Sequence, residues 1–106
     1  MNHEERKETF REGMTILDLK QGDTIYIKKL EAGYDYHYEC EFEKVERGII
    51  HAKILNCDRR ELNGGFRRSL YPSKITARKT SCYLWGKGKT NEWAGCHWLK
   101  KDGRFD

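Results

Sequence analysis

Between residues 36 and 43 the chain alternates without exception. Tyr36, Tyr38, Cys40 and Phe42 fall on one side, and His37, Glu39, Glu41 and Glu43 on the other. A period of two marks a strand with one face buried and one face in water. Ile49 to Cys57 reads as its partner, with a turn at Glu46-Arg47-Gly48 between them. A three-residue loop with Gly48 in the left-handed conformation sets Phe42 against Ala52 and Cys40 against Ile54. On the polar side it sets Glu41 against Lys53 and Glu43 against His51, so apolar residues meet and opposite charges pair. A two-residue loop would put Glu41 against Ile54, and a slip of one residue turns a whole face around. The three-residue loop is therefore expected, with Lys44 left opposite Ile50.

The same period, more briefly held, predicts strands at Thr15 to Leu19 and Thr24 to Ile27, with Gln21-Gly22-Asp23 as the turn between them. Glu31-Ala32-Gly33 interrupts the second. Residues 4–12 favour a short N-terminal helix, acidic at its start and stopped by Gly13. Residues 58–73 form a polar, basic connection containing Asn63-Gly64-Gly65 and closed by Pro72, the only proline. Lys74 to Arg78 and Cys82 to Trp85 are two further strands. The tail carries Trp93, Trp98 and a turn at Asp102-Gly103.

Five or six short strands with tight turns predict a mainly β (or α+β) fold, a small antiparallel β-barrel or strongly curved sheet. The stretch Gly22-Asp23-Thr24-Ile25-Tyr26-Ile27 resembles the Gly-Asp-x-aliphatic-x-aliphatic opening common in SH3-like barrels. That resemblance covers six residues and implies an SH3-like architecture; it carries no function with it.

A length of 106 residues suits one domain over 1–106. So short a chain favours a surface face or cleft over a deep enclosed cavity. Its 36% charged residues would fit disorder, but 12% aromatics would not, and a folded chain is expected. Charge is unevenly spread. Residues 1–46 hold 7 Lys and Arg against 12 Asp and Glu, whereas 47–106 hold 14 against 5. A basic second half suggests a polyanion-binding face, unless folding interleaves the halves. No apolar run approaches the roughly 18 residues of a membrane span, and the charged start has no apolar core of a signal peptide. A cytoplasmic location is expected. Cys40, Cys57, Cys82 and Cys96 are then thiols, the first three filling the core.

Catalytic patterns fail on spacing. Gly88-Lys89-Thr90 ends like a phosphate-binding loop, but position 83 is Tyr where that loop needs glycine, and no helix start follows. No Cys-x-x-Cys knuckle exists to fix half of a zinc tetrahedron. His37 and Cys40 lie on opposite faces of their strand. Nothing brings a cysteine and a histidine together as a nucleophile and base. Glu39, Glu41 and Glu43 share one wetted face, where no environment pushes their pKa values apart. No enzyme, cofactor or metal site is expected.

The remaining constellation is basic and aromatic. Arg59, Arg60, Arg67 and Arg68 occupy one connection, while Arg78, Lys79, Lys87 and Lys89 flank Tyr83 and Trp85. Lysine and arginine neutralise phosphates and exposed rings stack on bases. These ten residues are the expected contact surface of a non-enzymatic module that binds RNA or DNA, or a complex that handles it. Two alternatives remain open. One is a small protein-binding inhibitor or adaptor, of the kind a phage would encode to block a host defence complex. The other is a small-ligand-binding oligomer.

Overall fold

The computed structural model describes residues 10–85 and 96–106. Seven strands form one antiparallel sheet: β1 (Thr24–Glu31), β2 (Tyr34–Glu46), β3 (Ile49–Arg60), β4 (Phe66–Arg68), β5 (Lys74–Arg78), β6 (Cys82–Trp85) and β7 (Cys96–Trp98). Their order is β4-β3-β2-β1-β6-β7, and β5 also pairs with β3. The sheet is not closed. The far edge of β3 is shared, its first half pairing with β5 and its last three residues with β4.

Alternation sorts the side chains between two faces. Ile25, Ile27, Tyr38, Cys40, Phe42, Ile50, Ala52, Ile54, Cys57, Ile75, Ala77, Cys82 and Leu84 point inward and form one cluster. Each fully buried aliphatic side chain stabilises by about 1.5–3 kcal/mol. Met14, Ile16 and Leu19 join the cluster from one end of the chain, and Leu99 and Phe105 from the other. The two ends are tied together beneath the sheet. Ile16 N–H donates to the Gly103 carbonyl at 2.8 Å, and Phe105 N–H to the Met14 carbonyl at 3.0 Å.

The hairpin register differs from expectation at its tip. Glu46 pairs with Ile49, Val45 with Ile50 and Lys44 with His51. The loop is therefore only Arg47-Gly48, with φ of 53° and 77°, the left-handed pair of a two-residue turn that follows the strand twist. Lys44 does not face Ile50, and Glu43 does not face His51. Glu43 is instead the extra residue of a bulge. That bulge restores Phe42–Ala52, Glu41–Lys53 and Cys40–Ile54 as expected. A second irregularity at Leu55 shifts the register again, so that Glu39 faces Asn56 and Tyr38 faces Cys57.

The strand expected at Thr15 to Leu19 is a 3₁₀ turn, Ile16–Asp18. Leu17 N–H donates to Thr15 Oγ1 at 3.2 Å, and Thr15 N–H to Asp18 Oδ2 at 2.7 Å. This reciprocal cap satisfies the turn's own donors, and it buries Ile16 and Leu19 while Leu17 stays exposed. Most of the helix expected over 4–12 lies outside the described residues. Phe10 and Arg11 have no regular structure, and Glu12-Gly13 are a turn. No helix among the described residues is long and apolar enough to cross a membrane.

Candidate binding surface

The connection after β3 is a second hairpin. Glu61 N–H donates to the Gly65 carbonyl at 2.7 Å, and Asn63 Oδ1 accepts from Gly65 N–H at 3.0 Å. Gly64 takes φ 89°, so the Asn63-Gly64-Gly65 signal marks a real turn. Beyond β4 the chain stays pinned along β3. Ser69 N–H donates to Cys57 O at 2.9 Å, the Tyr71 hydroxyl to Leu55 O at 2.8 Å, and Ile54 N–H to Ser73 O at 2.9 Å. These bonds cover the β3 edge where Leu55 bulges, between β4 and β5.

Holding the backbone this way turns apolar side chains outward. Leu62 at the tip is 96% exposed and Leu70 98% exposed, with Phe66 and Tyr71 also exposed. Four of the seven exposed large hydrophobic residues among those described therefore lie within ten residues of chain. Exposed apolar residues grouped along so short a stretch of chain make it a candidate contact segment. Sequence reasoning missed these four, although Leu62, Phe66, Leu70 and Tyr71 had no periodic partners in a polar connection.

The four arginines here have different surroundings. Arg59 donates to Glu61 at 3.1 Å and lies 4.5 Å from the centre of the Tyr34 ring. The hydrogen bond to Glu61 holds its guanidinium protonated, raising its pKa. Arg67 also reaches Glu61, at 3.2 Å, and Arg68 reaches Asp58 at 3.4 Å. Arg60 is exposed and has no ion-pair partner among the described residues.

The outer face of the sheet carries a row of rings. Trp98 and Tyr83 are 4.5 Å apart, Tyr83 and Tyr26 5.4 Å, and Tyr26 and Trp85 6.4 Å. The Tyr83 hydroxyl sits 3.3 Å from His37 Nδ1, and Phe66 meets the His37 ring edge-on at 5.1 Å. The row thus runs from β7 to β4. Burial, reinforced by Lys28, pushes the His37 pKa down to about 4, against the opposing pull of Asp35 and Asp58. His37 is accordingly neutral at pH 7.

The ten expected contact residues do not form one surface. Arg59, Arg60, Arg67 and Arg68 share the β3–β4 hairpin. Arg78 faces Ile49 at the opposite end of β3, and Lys79 follows it. Tyr83 is 4% exposed and so works as a spacer between rings rather than an open stacking surface. Trp85 is half-buried. Lys87 and Lys89 lie outside the described residues.

Among the described residues no group of three His, Cys, Asp or Glu is placed to hold a metal ion. Cys40, Cys57 and Cys82 are buried. Burial pushes all three thiols up, that of Cys82 to about 12, which leaves them un-ionised and poor nucleophiles. No family model, no curated protein and no solved structure matches the chain.

Proposed function

We propose that this chain is a non-enzymatic binding module that docks an acidic protein partner through the β3–β4 hairpin and the strap to Tyr71. One observation carries this reading: Leu62, Phe66, Leu70 and Tyr71 are all exposed within ten residues of chain that also hold Arg67 and Arg68. Interface centres favour apolar and aromatic anchors with arginine around them. A leucine nearly free of protein contact contributes little to folding, and several such residues on one short pinned segment support a partner there. The arginines select an acidic one. An inhibitor or adaptor of a larger complex fits this surface. Four free cysteines support a reducing, cytoplasmic setting. The order β5-β3-β2-β1-β6, with the 3₁₀ turn Lys79–Ser81 joining β5 to β6, supports an SH3-like arrangement.

The ring row favours a second reading. Tyr26, Trp85 and Trp98 are half-buried on one face, with Lys28 two residues along β1 from Tyr26, and aromatic faces bordered by cations bind single-stranded nucleic acid. Pull-down after nuclease treatment, with wild type beside Leu62→Glu/Leu70→Glu, separates the two. Docking through the hairpin predicts a protein retained by wild type after nuclease and lost by the variant. Loss of the bound material to nuclease selects the nucleic-acid reading. A nuclease-resistant partner held equally by both proteins overturns the hairpin as the site.

A further inference from the structure

A strand at the margin of a sheet presents one row of backbone groups to whatever lies outside it. β7 is closed over on that side: Leu99 bridges Phe105, and Asp106 N–H donates to the Trp98 carbonyl at 3.0 Å. β4 is only three residues long. β5 has five residues and pairs with β3 alone among the described residues. One bond sets the phase of its ladder: Ile54 N–H donates to the Ser73 carbonyl at 2.9 Å. In an antiparallel pair, residues that exchange bonds with the neighbour alternate with residues that do not. In the observed register Ile75 and Ala77 therefore turn their backbone groups to β3. Lys74 and Thr76 turn theirs to the open side, as does the Arg78 N–H.

Side chains on β5 alternate with the same period. Ile75 and Ala77 are buried in the core, while Lys74, Thr76 and Arg78 are exposed on the outer face. Lys53 stands directly opposite Lys74. Glu41 faces Lys53 across β2, and Glu43 reaches Lys74 at 3.6 Å, so those two cations are offset. Arg78 faces Ile49 and has no ion-pair partner among the described residues. Such an edge rejects a copy of itself. Two β5 strands paired antiparallel about Thr76 would set Lys74 against Arg78 at both ends, and like charges directly opposite are destabilising. The same two cations favour a strand with carboxylates at those positions.

We propose that the open edge of β5 docks an extended acidic segment of a partner, which adds as an antiparallel strand with carboxylates opposite Lys74 and Arg78. The site lies at the other end of β3 from the hairpin and is independent of what the hairpin binds. In strand addition, main-chain hydrogen bonds give affinity and alternate side chains give choice. The test probe is a capped peptide, Glu-Val-Thr-Val-Glu, titrated into the full chain beside Lys-Val-Thr-Val-Lys. The acidic peptide should shift the amides of Lys74, Thr76 and Arg78 saturably and slow their hydrogen exchange. Lys74→Glu/Arg78→Glu should invert the preference between the peptides, by about tenfold or more. Thr76→Pro should keep the β3 ladder, because that N–H points away from β3, and should abolish binding. Arg67→Gln leaves the titration unchanged. Equal binding of the two peptides, exchange at Thr76 that does not slow, or full binding by Thr76→Pro with its fold intact by circular dichroism overturns the proposal. If Thr76→Pro does not fold, the charge-reversed variant decides: an uninverted preference overturns it. Acidic-peptide shifts confined to β4 overturn β5 as the site. Concentration-dependent protection of the same amides without peptide assigns the edge to a second copy and overturns the acidic occupant.

Discussion

One strand, β3, runs through two different environments. Its first half lies between β2 and β5, where Ile50, Ala52 and Ile54 are buried and inward residues of β5 pack over them. Its last three residues pair with a β4 that is exposed at every position. Backbone pairing continues along both halves, so hydrogen bonding does not distinguish them. Side-chain burial does. The first half buries its side chains in the core, and the second leads into exposed leucines and arginines that bury little surface.

The largest test of that contrast is truncation at each half. Ile50 is fully buried between the β2 and β5 neighbours Val45 and Ala77. Ile50→Ala should cost about 2–5 kcal/mol, by lost transfer energy and the cavity left behind. Leu70→Ala should change stability by about 0.5 kcal/mol or less. Urea or guanidinium melts of both variants measure the difference. Comparable losses in the two would mean that the hairpin strap is part of the core.

His37 sits near the second half, between Tyr83 and Phe66, facing Lys28, Asp35, Asp58 and Arg60. Its pKa falls from 6.5 to about 4 on folding. Between those values the unfolded chain binds the extra proton, so stability falls as pH drops from 6.5 towards 4 and this contribution is complete above 6.5. After discounting for partial exposure, the loss should be about 2 kcal/mol. Denaturant melts across that window, on wild type and on His37→Gln, isolate it. The variant should show a flatter slope; an unchanged slope would assign the pH dependence to the carboxylates.

These regions differed in how far they could be read in advance. The 36–43 strand was legible because alternation and burial agree there, and its central pairs stand as expected. The tip was misread because Arg47 lacks the usual Asn, Asp or Gly of a two-residue left-handed turn. The bulge at Glu43 that reconciles this turn with the core register leaves no local mark. Thr15-Ile16-Leu17-Asp18 mixes polar and apolar residues as a short strand does, but its Thr-x-x-Asp spacing is also that of a cap. In the second half, charge type was legible but destination was not. Arg59 and Arg67 converge on Glu61, whereas Arg78 ends at the far side of the strand. Tyr83 is covered because cross-strand neighbours set burial, and these depend on β6 pairing with β1, a long-range choice.

The Arg47 turn supplies a smaller test at the buried half. A side chain with β-carbon at φ 53° is strained, and Asn accepts that conformation more readily. Arg47→Asn should stabilise by about 0.5–1 kcal/mol, read as a higher denaturation midpoint with unchanged m-value. Destabilisation would mean that the arginine side chain makes a compensating contact.

The smallest expected stability effect lies at the exposed half, and it sharpens the contrast most. Arg67 is largely in solvent and meets Glu61 at 3.2 Å, while Glu61 is much less exposed and also holds Arg59. An exposed ion pair gains little Coulomb energy and orders two long side chains, so Arg67→Gln should cost about 0.5 kcal/mol or less and nothing measurable at high salt. Glu61→Gln removes the acceptor of two guanidinium groups at once, so it should cost more than Arg67→Gln. A double-mutant cycle over the two positions reads that coupling. Partner affinity should rank them in the opposite order. Losing Arg67 removes a cation from the docking surface and weakens binding, while losing Glu61 releases two cations for an acidic partner and strengthens it. Weaker binding in both variants would make the hairpin's shape, rather than its charge, the property that the partner recognises.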